Sequence, residues 1–173
     1  MRTDANRESS ILSQKNLILA FATLGPIGVK LPAPGTFGSV FGLLAFVLLW
    51  QWTPLNALEI LLGFGCLALL AIPICGRAEK LLGKSDPGEV ILDEFVSQPL
   101  VFLGTPWVLA DSERFLNGET LLFLLSGFLL FRLFDVAKPI GIKKLQSLHG
   151  GLGIVADDLA AAFVAGICLW IFS

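Results

Sequence analysis

Five long apolar runs constrain this chain more than any other feature, and they lie at about residues 37–52, 57–76, 90–109, 120–134 and 153–172. A helix rises about 1.5 Å per residue and the hydrocarbon core of a bilayer is about 30 Å thick, so runs near twenty residues cross it. The second, third and fifth runs are long enough, whereas the first and fourth need flanking residues. Only 15% of the 173 residues are charged, too few to cover a soluble domain. The pattern predicts an all-α fold, a polytopic membrane helix bundle with about five spanning helices.

The N-terminal part of the chain differs from these runs. Residues 17–28 are apolar, but a dozen residues ending in Gly25-Pro26 are too few to cross a bilayer. We therefore expect an N-terminal interfacial or re-entrant helix there, preceded by a polar cytoplasmic segment over 1–16. No cleaved signal peptide is expected. Residues 1–173 are predicted to form a single membrane-embedded domain.

Basic residues are distributed unevenly between the predicted loops. Ten of the twelve fall on one side, whereas Arg114 is alone on the other and Arg132 lies within the fourth run. Since Lys and Arg accumulate in cytoplasmic loops, the N-terminus and both basic loops are predicted to face the cytoplasm of a bacterial inner membrane. The outer ends of the spans are marked by Trp50, Trp52, Trp107 and Trp170.

The remaining composition excludes other classes. The net charge is −2 without a long basic run, so nucleic acid is not an expected partner. The three cysteines lie in or at the ends of apolar runs without metal-ligand spacing, which is typical of packing residues. The expected partners are membrane lipids, and the pattern predicts no particular oligomeric state.

Ionisable side chains gather at one end of the predicted spans. A charge near the bilayer centre is costly, so such residues are candidates for function. Four separate segments bring polar residues to the level of the inner-leaflet headgroups. They contain Lys30 and Thr36 around LPAPGTFGS; Asp86, Asp93 and Glu94; Arg132, Asp135 and Lys138; and Asp157 with Asp158.

Each segment alone also has a structural explanation. Arg132 and Asp135 are spaced as an ion pair on one helix face, acids near a helix start complement its dipole, and PAPGT is compatible with a simple turn. Taken together, however, five carboxylates at one depth repel one another unless a cation lies among them.

Oxygen ligands without a His or Cys cluster favour Mg²⁺ over zinc. The candidate metal ligands are Asp86, Asp93, Glu94, Asp157 and Asp158. The candidate phosphate-binding residues are Lys30, Thr36, Arg132 and Lys138, since Lys and Arg bind phosphate oxygens and backbone amides after Pro34 add donors. Acids for a metal and bases for a phosphate at headgroup depth favour an enzyme that acts on phospholipid headgroups.

Four strings carry a family resemblance: APGTFGS, DPGEVILDEFVSQ, FRLFDVAKPIGI and HGGLGIVADD. In this order and spacing they resemble the phosphatidylglycerophosphatase A family of bacteria, from about Lys30 to the last span. The resemblance implies a Mg²⁺-dependent phosphatase that converts phosphatidylglycerophosphate to phosphatidylglycerol at the cytoplasmic membrane.

By position, the family's motifs fall on the same residues. Its acidic motif falls on Asp86, Asp93 and Glu94, its Arg-Asp-Lys motif on Arg132, Asp135 and Lys138, and its late acidic pair on Asp157 and Asp158. Ser97 stands where the family usually has Gly, and Gly141 and His149 stand where Pro is more common. None of these departures touches a proposed ligand.

The resulting hypothesis is hydrolysis of a phosphomonoester. The expected catalytic residues are Asp93, Glu94, Asp158, Arg132 and Asp135. The metal would offset charge on the phosphoryl oxygens and activate water, and Arg132 and Lys138 would stabilise the transferring phosphoryl group. Lys30 is expected at the diester phosphate.

Two rival functions also use such residues. A small divalent-cation transporter could use intramembrane carboxylates, although a conduction path should place acids at mid-membrane or on both sides. A headgroup transferase of the CDP-alcohol type is a second rival, but its Asp-rich motif opening with DGxxAR is absent here. A membrane scaffold would need no carboxylate cluster.

Overall fold

The computed structural model describes residues 2–109, 117–139, 141–145 and 147–172, and the described residues form helices joined by turns without a strand. In chain order the helices are α1 (Arg2–Ala22), α2 (Ile27–Lys30), α3 (Pro34–Trp52), α4 (Ala57–Leu82), α5 (Leu92–Ser97), a 3₁₀ helix (Gln98–Phe102), α6 (Pro106–Leu109), α7 (Gly118–Ala137), α8 (Ile142–Leu145) and α9 (Gly151–Phe172). Four of them, α3, α4, α7 and α9, are long and apolar enough to cross a membrane. The predicted all-α membrane bundle is confirmed.

Local chemistry sets the ends of the long helices. Asn56 and Glu59 form a capping box at the start of α4, each side chain accepting from the other residue's backbone N–H at 2.8 Å. Gly83 ends α4 in the left-handed region, with φ of 66°. Asn117 caps the start of α7, and Lys138 ends it with φ of 42°. These caps place the polar residues around Lys138 at the end of a span rather than inside it.

The apolar run 90–109 is not one continuous helix, so the prediction that it spans as the third helix is wrong in that form. The structure divides it into α5, the 3₁₀ helix and α6. Pro99 has no N–H to donate to an α-helical hydrogen bond, and Gly104 turns the chain with φ of 84°. Pro106 then begins α6. Four continuous spans and one broken segment therefore replace five continuous spans.

The broken segment lies beside α3 and runs parallel to it. A Cβ on Gly38 would lie 2.8 Å from the carbonyl oxygen of Ile91, and further along the rings of Phe46 and Phe102 stack with centroids 5.8 Å apart. Side chains larger than hydrogen at Gly38 would thus push the two elements apart. Close backbone packing at small residues is the usual way in which membrane helices associate.

The other spans enclose the broken segment. A Cβ on Gly127 of α7 would lie 2.5 Å from the ring of Phe102, and one on Gly166 of α9 would lie 2.7 Å from the carbonyl oxygen of Val101. α4 also contacts α5 and the 3₁₀ helix. The polar start of α5 is therefore held in the interior of the bundle by α3, α4 and α9, while α7 packs against the 3₁₀ helix that follows.

The N-terminal helix also differs from its prediction. Residues 17–28 do not form a helix of their own, because α1 runs continuously from Arg2 to Ala22 and ends at a turn. Leu24 and Gly25 have φ of 49° and 69°, which breaks the helix before α2. The Ile91 N–H donates to the Ala22 carbonyl at 2.9 Å, so this turn is attached to the start of α5.

The predicted tryptophan belt is realised in part. Trp52 and Trp170 are exposed near the ends of α3 and α9, but Trp50 is buried because it packs into the core of the bundle. The side chain of Trp107 and residue Arg114 lie outside the described part of the chain.

Candidate active site

Three carboxylates from two helices meet inside the bundle. Asp93 and Glu94 come from the first turn of α5 and Asp158 from the second turn of α9, and one carboxylate oxygen of each lies within 4.8 Å of the others. Asp93 and Asp158 are 5% and 3% exposed. We call these three residues the carboxylate cluster. It is the point at which two of the predicted acidic motifs converge.

One oxygen of each cluster acid lacks a hydrogen-bond donor. Asp93 Oδ1, Glu94 Oε2 and Asp158 Oδ2 are buried and have no partner among the described residues. Buried carboxylates at this spacing repel one another, and an isolated buried charge is costly. A hard cation with oxygen ligands removes both costs. The donor set of the cluster therefore fits Mg²⁺ and could hold a metal.

The start of α3 approaches the cluster closely. A Cβ at Gly35 would collide with Oε1 of Glu94, and it would lie 3.4 Å from Nη1 of Arg132. Ala33 precedes the helix in the left-handed region with φ of 53°. Because Gly35 has no side chain, the backbone of the PAPGT turn can touch both a cluster acid and the nearby guanidinium.

Arg132 is fixed by two partners. Its Nη1 forms an ion pair with Asp135 on the same face of α7, and it donates to Ser39 Oγ at 3.4 Å. Ser39 in turn donates to the Gly35 carbonyl at 2.9 Å. This chain of contacts joins α7 to α3 and holds the guanidinium beside Glu94, where its remaining donors can bind an anion.

Asp157 does not join the cluster as Asp158 does, but contacts a base. Its Oδ2 forms an ion pair with Lys138, while its buried Oδ1 has no partner among the described residues. Burial lowers the pKa of Lys138, but the hydrogen bond to Asp157 and the neighbouring carboxylates outweigh this, so the pKa is raised above its ordinary value. Lys138 thus stays charged next to the cluster.

The other predicted residues lie further out. Asp86 is an exposed residue with φ of 47°, and its N–H donates to Glu79 Oε1 at 3.3 Å. Lys30 is exposed at the end of α2, without an ion pair to a described carboxylate, and Thr36 is half-buried in the first turn of α3. The structure brings Asp93, Glu94 and Asp158 together but leaves Asp86 and Asp157 outside this group.

Four residues at the site were not among the predicted site residues. Gly35 and Ser39 contact Glu94 and Arg132, while Ser97 and Gln98 are buried one turn beyond the acids of α5. The spacing could have revealed the last two, since Asp93 to Ser97 and Glu94 to Gln98 are both i,i+4 pairs on one helix face.

Comparison with known proteins points to one family. The family model of phosphatidylglycerophosphatase A matches residues 20–173. A protein named phosphatidylglycerophosphatase A from Haemophilus influenzae is 31% identical over 170 residues, which cover 92% of this chain and 96% of the relative. Its namesake from Escherichia coli is 30% identical over 155 residues, covering 83% and 77%.

A third relative carries a different name. A protein from Bacteroides thetaiotaomicron, provisionally named a phosphatidylinositol-3-phosphatase, is 30% identical over 141 residues, covering 79% of this chain and 81% of the relative. All three names describe phosphatases of phospholipid headgroups. No solved structure matches the chain.

Proposed function

The chain belongs to the phosphatidylglycerophosphatase A family and is a membrane-embedded phosphatase, and we propose that it hydrolyses the terminal phosphomonoester of phosphatidylglycerophosphate with Mg²⁺ at the cytoplasmic face of a bacterial inner membrane. The products are phosphatidylglycerol and phosphate. One observation carries the proposal: a buried cluster of three acids with unpartnered oxygens lies beside a fixed arginine. Acids for a cation and a guanidinium for a phosphate are the two parts that phosphoryl transfer requires.

The metal would be held by Asp93, Glu94 and Asp158, with Asp86 and Asp157 as candidates for a second ion or its waters. When bound, Mg²⁺ supplies charge compensation on the phosphoryl oxygens and a more acidic water. One difference supports this assignment: Lys138 already balances Asp157, whereas the three cluster acids have no described base on the oxygens named above.

The phosphate would be bound by side chains that carry charge-assisted donors. Arg132 is oriented by Asp135 and Ser39, so its guanidinium can contact equatorial phosphoryl oxygens without first being ordered. Lys138, in its ion pair with Asp157, is a second charged donor. Thr36 and Lys30, at the α3 and α2 ends, are proposed to reach the diester phosphate.

Hydrolysis forms a bond between a water oxygen and phosphorus and breaks the bond from phosphorus to the glycerol oxygen. A carboxylate of the site takes the proton of the attacking water, and the departing glycerol oxygen gains a proton. Asp135 and Glu94 flank Arg132 and are candidates for the base. Burial of the cluster among the spans excludes bulk water, which strengthens each of these electrostatic contacts.

The cytoplasmic orientation is supported by the bases at the same end of the bundle. The loop after α4 carries Lys84, and the segment after α7 carries Lys138, Lys143 and Lys144. These residues precede α5 and α9, whose first turns lead into the cluster. A cytoplasmic position follows from the preference of Lys and Arg for that side.

The divalent-cation transporter is not favoured. The acids of the cluster lie in the first or second turn of their helices, whereas a conduction path requires polar residues along its length. The described residues further along α9, beyond Asp158, are almost entirely apolar. Helices that carry polar residues at one end only are compatible with a site that binds a lipid headgroup at the membrane surface.

The test is phosphate release by the purified protein in detergent, with phosphatidylglycerophosphate or phosphatidylinositol 3-phosphate, each with Mg²⁺ or with EDTA. We expect Mg²⁺-dependent release from phosphatidylglycerophosphate and much slower release from the phosphoinositide. Release from the phosphoinositide alone would assign the substrate of the Bacteroides relative instead. Release unaffected by EDTA would refute the metal, and Mg²⁺ flux into liposomes without hydrolysis would favour the transporter.

A further inference from the structure

Two buried polar side chains next to the cluster have no partner. Ser97 and Gln98 are 0% exposed, and Ser97 Oγ and both Gln98 side-chain atoms, Oε1 and Nε2, make no hydrogen bond to the described residues. Most buried polar atoms in proteins form a hydrogen bond to the protein or to an ordered water, because a buried polar atom without a hydrogen bond is costly. A fully buried carboxamide with no partner therefore indicates a missing polar group.

The position of Gln98 relates it to the cluster. It lies one turn beyond Glu94, as Ser97 lies one turn beyond Asp93, so the polar face of α5 continues inward past the acids. Three and four residues further along the chain, Val101 and Phe102 pack against Gly166 of α9 and Gly127 of α7. Gln98 is thus part of the segment that lies between these two spans.

The neighbouring span offers Gln98 little to bond. The turn of α9 that follows Asp158 presents Ala161 and Ala162, which are buried and apolar. Their methyl side chains supply neither a hydrogen-bond donor nor an acceptor. The polar atoms on the side of the cluster are the carboxylate oxygens that also lack donors.

We propose that Gln98, assisted by Ser97, is a positioning residue of the carboxylate cluster and holds an ordered water between its carboxamide and the cluster oxygens. The carboxamide offers two donors and one acceptor, and a buried water needs two to four such partners. The arrangement fixes which carboxylate oxygens face the cation, as the groups behind metal ligands commonly do. This inference rests on the proposed metal-dependent function.

A purely structural role makes a different prediction. If Gln98 only fills space, Gln98→Met, which has the same length and no hydrogen-bonding amide, should leave metal affinity unchanged. A positioning role predicts weaker metal binding with unchanged or greater thermal stability in EDTA, because Met keeps the length of the side chain and removes the cost of burying a carboxamide.

The experiment measures Mn²⁺ affinity by electron paramagnetic resonance on the purified full-length protein in detergent. We expect Gln98→Met to raise the Mn²⁺ dissociation constant about 10-fold to 100-fold. kcat should fall by about 10-fold or more while KM for the lipid stays within about twofold, as expected when the residue does not touch the lipid. The unfolding temperature in EDTA should be unchanged or higher.

The matched control is Thr105→Val. Thr105 is equally buried on the same segment, but its hydroxyl donates to the Phe102 carbonyl at 2.8 Å. Loss of this satisfied bond should lower the unfolding temperature and leave the Mn²⁺ affinity unchanged. The two variants therefore separate an effect on the cluster from an effect on packing.

Several results would overturn the inference. Wild-type Mn²⁺ affinity in Gln98→Met contradicts it, and so does equal loss of affinity in Thr105→Val. If Gln98→Met does not fold, Gln98→Asn is the substitute, because it keeps the carboxamide but moves it one methylene further from the cluster. Wild-type Mn²⁺ affinity in Gln98→Asn would refute the role. If the wild type binds Mn²⁺ but releases no phosphate, the proposed substrate is wrong while Mn²⁺ affinity still decides the role of Gln98.

Discussion

Lys138, the left-handed residue that ends α7, forms an ion pair with Asp157 in α9. Asp157 is 2% exposed, and the residue that follows it, Asp158, belongs to the carboxylate cluster. The pair therefore ties the end of one span to the turn of another that carries a proposed metal ligand. The two adjacent aspartates thus differ in their surroundings: Asp157 is held by a base, and Asp158 belongs to the cluster that is proposed to bind a cation.

Removal of this base should destabilise the protein. Lys138→Met leaves Asp157 buried without its partner, and breaking a buried pair costs about 3–5 kcal/mol. Because the Lys138 side chain keeps 22% of its exposure, we expect a smaller loss of about 2 kcal/mol. Thermal unfolding in detergent measures it. Lys84→Gln, which breaks the exposed pair with Glu89, should change stability far less, and equal losses would contradict this account.

The cluster acids should be needed for turnover and not for folding. Asp93→Asn and Asp158→Asn each remove one charge from a repelling group, so activity should fall below about one thousandth because a ligand is lost. Unfolding temperatures in EDTA should equal or exceed the wild-type value. Steady-state phosphate release and thermal scans test both statements. Glu89→Gln, an acid outside the cluster, is the control, and full activity in Asp158→Asn would remove that residue from the site.

Metal should stabilise the folded protein through the cluster. A ligand that binds only the native state adds about 2.7 kcal/mol at a concentration 100 times its dissociation constant. We therefore expect the unfolding temperature of the wild type to rise with Mg²⁺ and to return to its starting value after EDTA. Asp158→Asn should show no such rise. A rise of the same size in that variant would place the binding site elsewhere.

The turn at the start of α3 should tolerate no side chain. Gly35→Ala places a methyl group against Glu94 Oε1 and near Arg132, so Glu94 must move and activity should fall at least about 10-fold, the loss of roughly one hydrogen bond to a charged group. Gly63→Ala in α4 meets nothing within 4 Å and should raise stability by about 0.5–1 kcal/mol through helix propensity. Wild-type activity in Gly35→Ala would show that Glu94 has room.

The geometry of Arg132 should matter beyond its charge. Arg132→Lys keeps the charge but not the planar guanidinium, in which Nη1 contacts Asp135 and Ser39 and the other nitrogens can bind a phosphate. We expect kcat/KM to fall about 10-fold to 100-fold, the loss of one hydrogen bond to a charged group. Arg77→Lys, on the exposed end of α4, should be neutral. Equal kinetics in both variants would show that Arg132 acts only as a point charge.

The acidic and basic motifs of the site could be predicted from the sequence because they are local. Asp93 with Glu94 and Arg132 with Asp135 lie within one turn of each other, and the ends of their apolar runs place them at one level. The choice between Asp157 and Asp158 could not be predicted, because neighbours on a helix differ by about 100° in direction. The packing of α9 in the bundle brings Asp157 to Lys138 and Asp158 to the cluster.

The broken third run shows where apolar periodicity fails. Pro99, Gly104 and Pro106 are visible in the sequence, yet a broken segment surrounded by other spans is as apolar as a continuous helix. The broken backbone is tolerated because the other spans pack closely against it, at Gly38 and Gly127 among other residues. This packing depends on contacts between residues far apart in the chain, so local sequence patterns do not predict it.

The break between α5 and α6 has a consequence for how the protein is made. A backbone interrupted at Pro99 and Gly104 has polar groups that lipid cannot satisfy, and Asp93, Glu94 and Gln98 add more. The segment leaves the ribosome before α7 and α9, which complete its surroundings. The segment can therefore become stable in the membrane only after these later helices have been made, so integration of the proposed site depends on the C-terminal half of the chain.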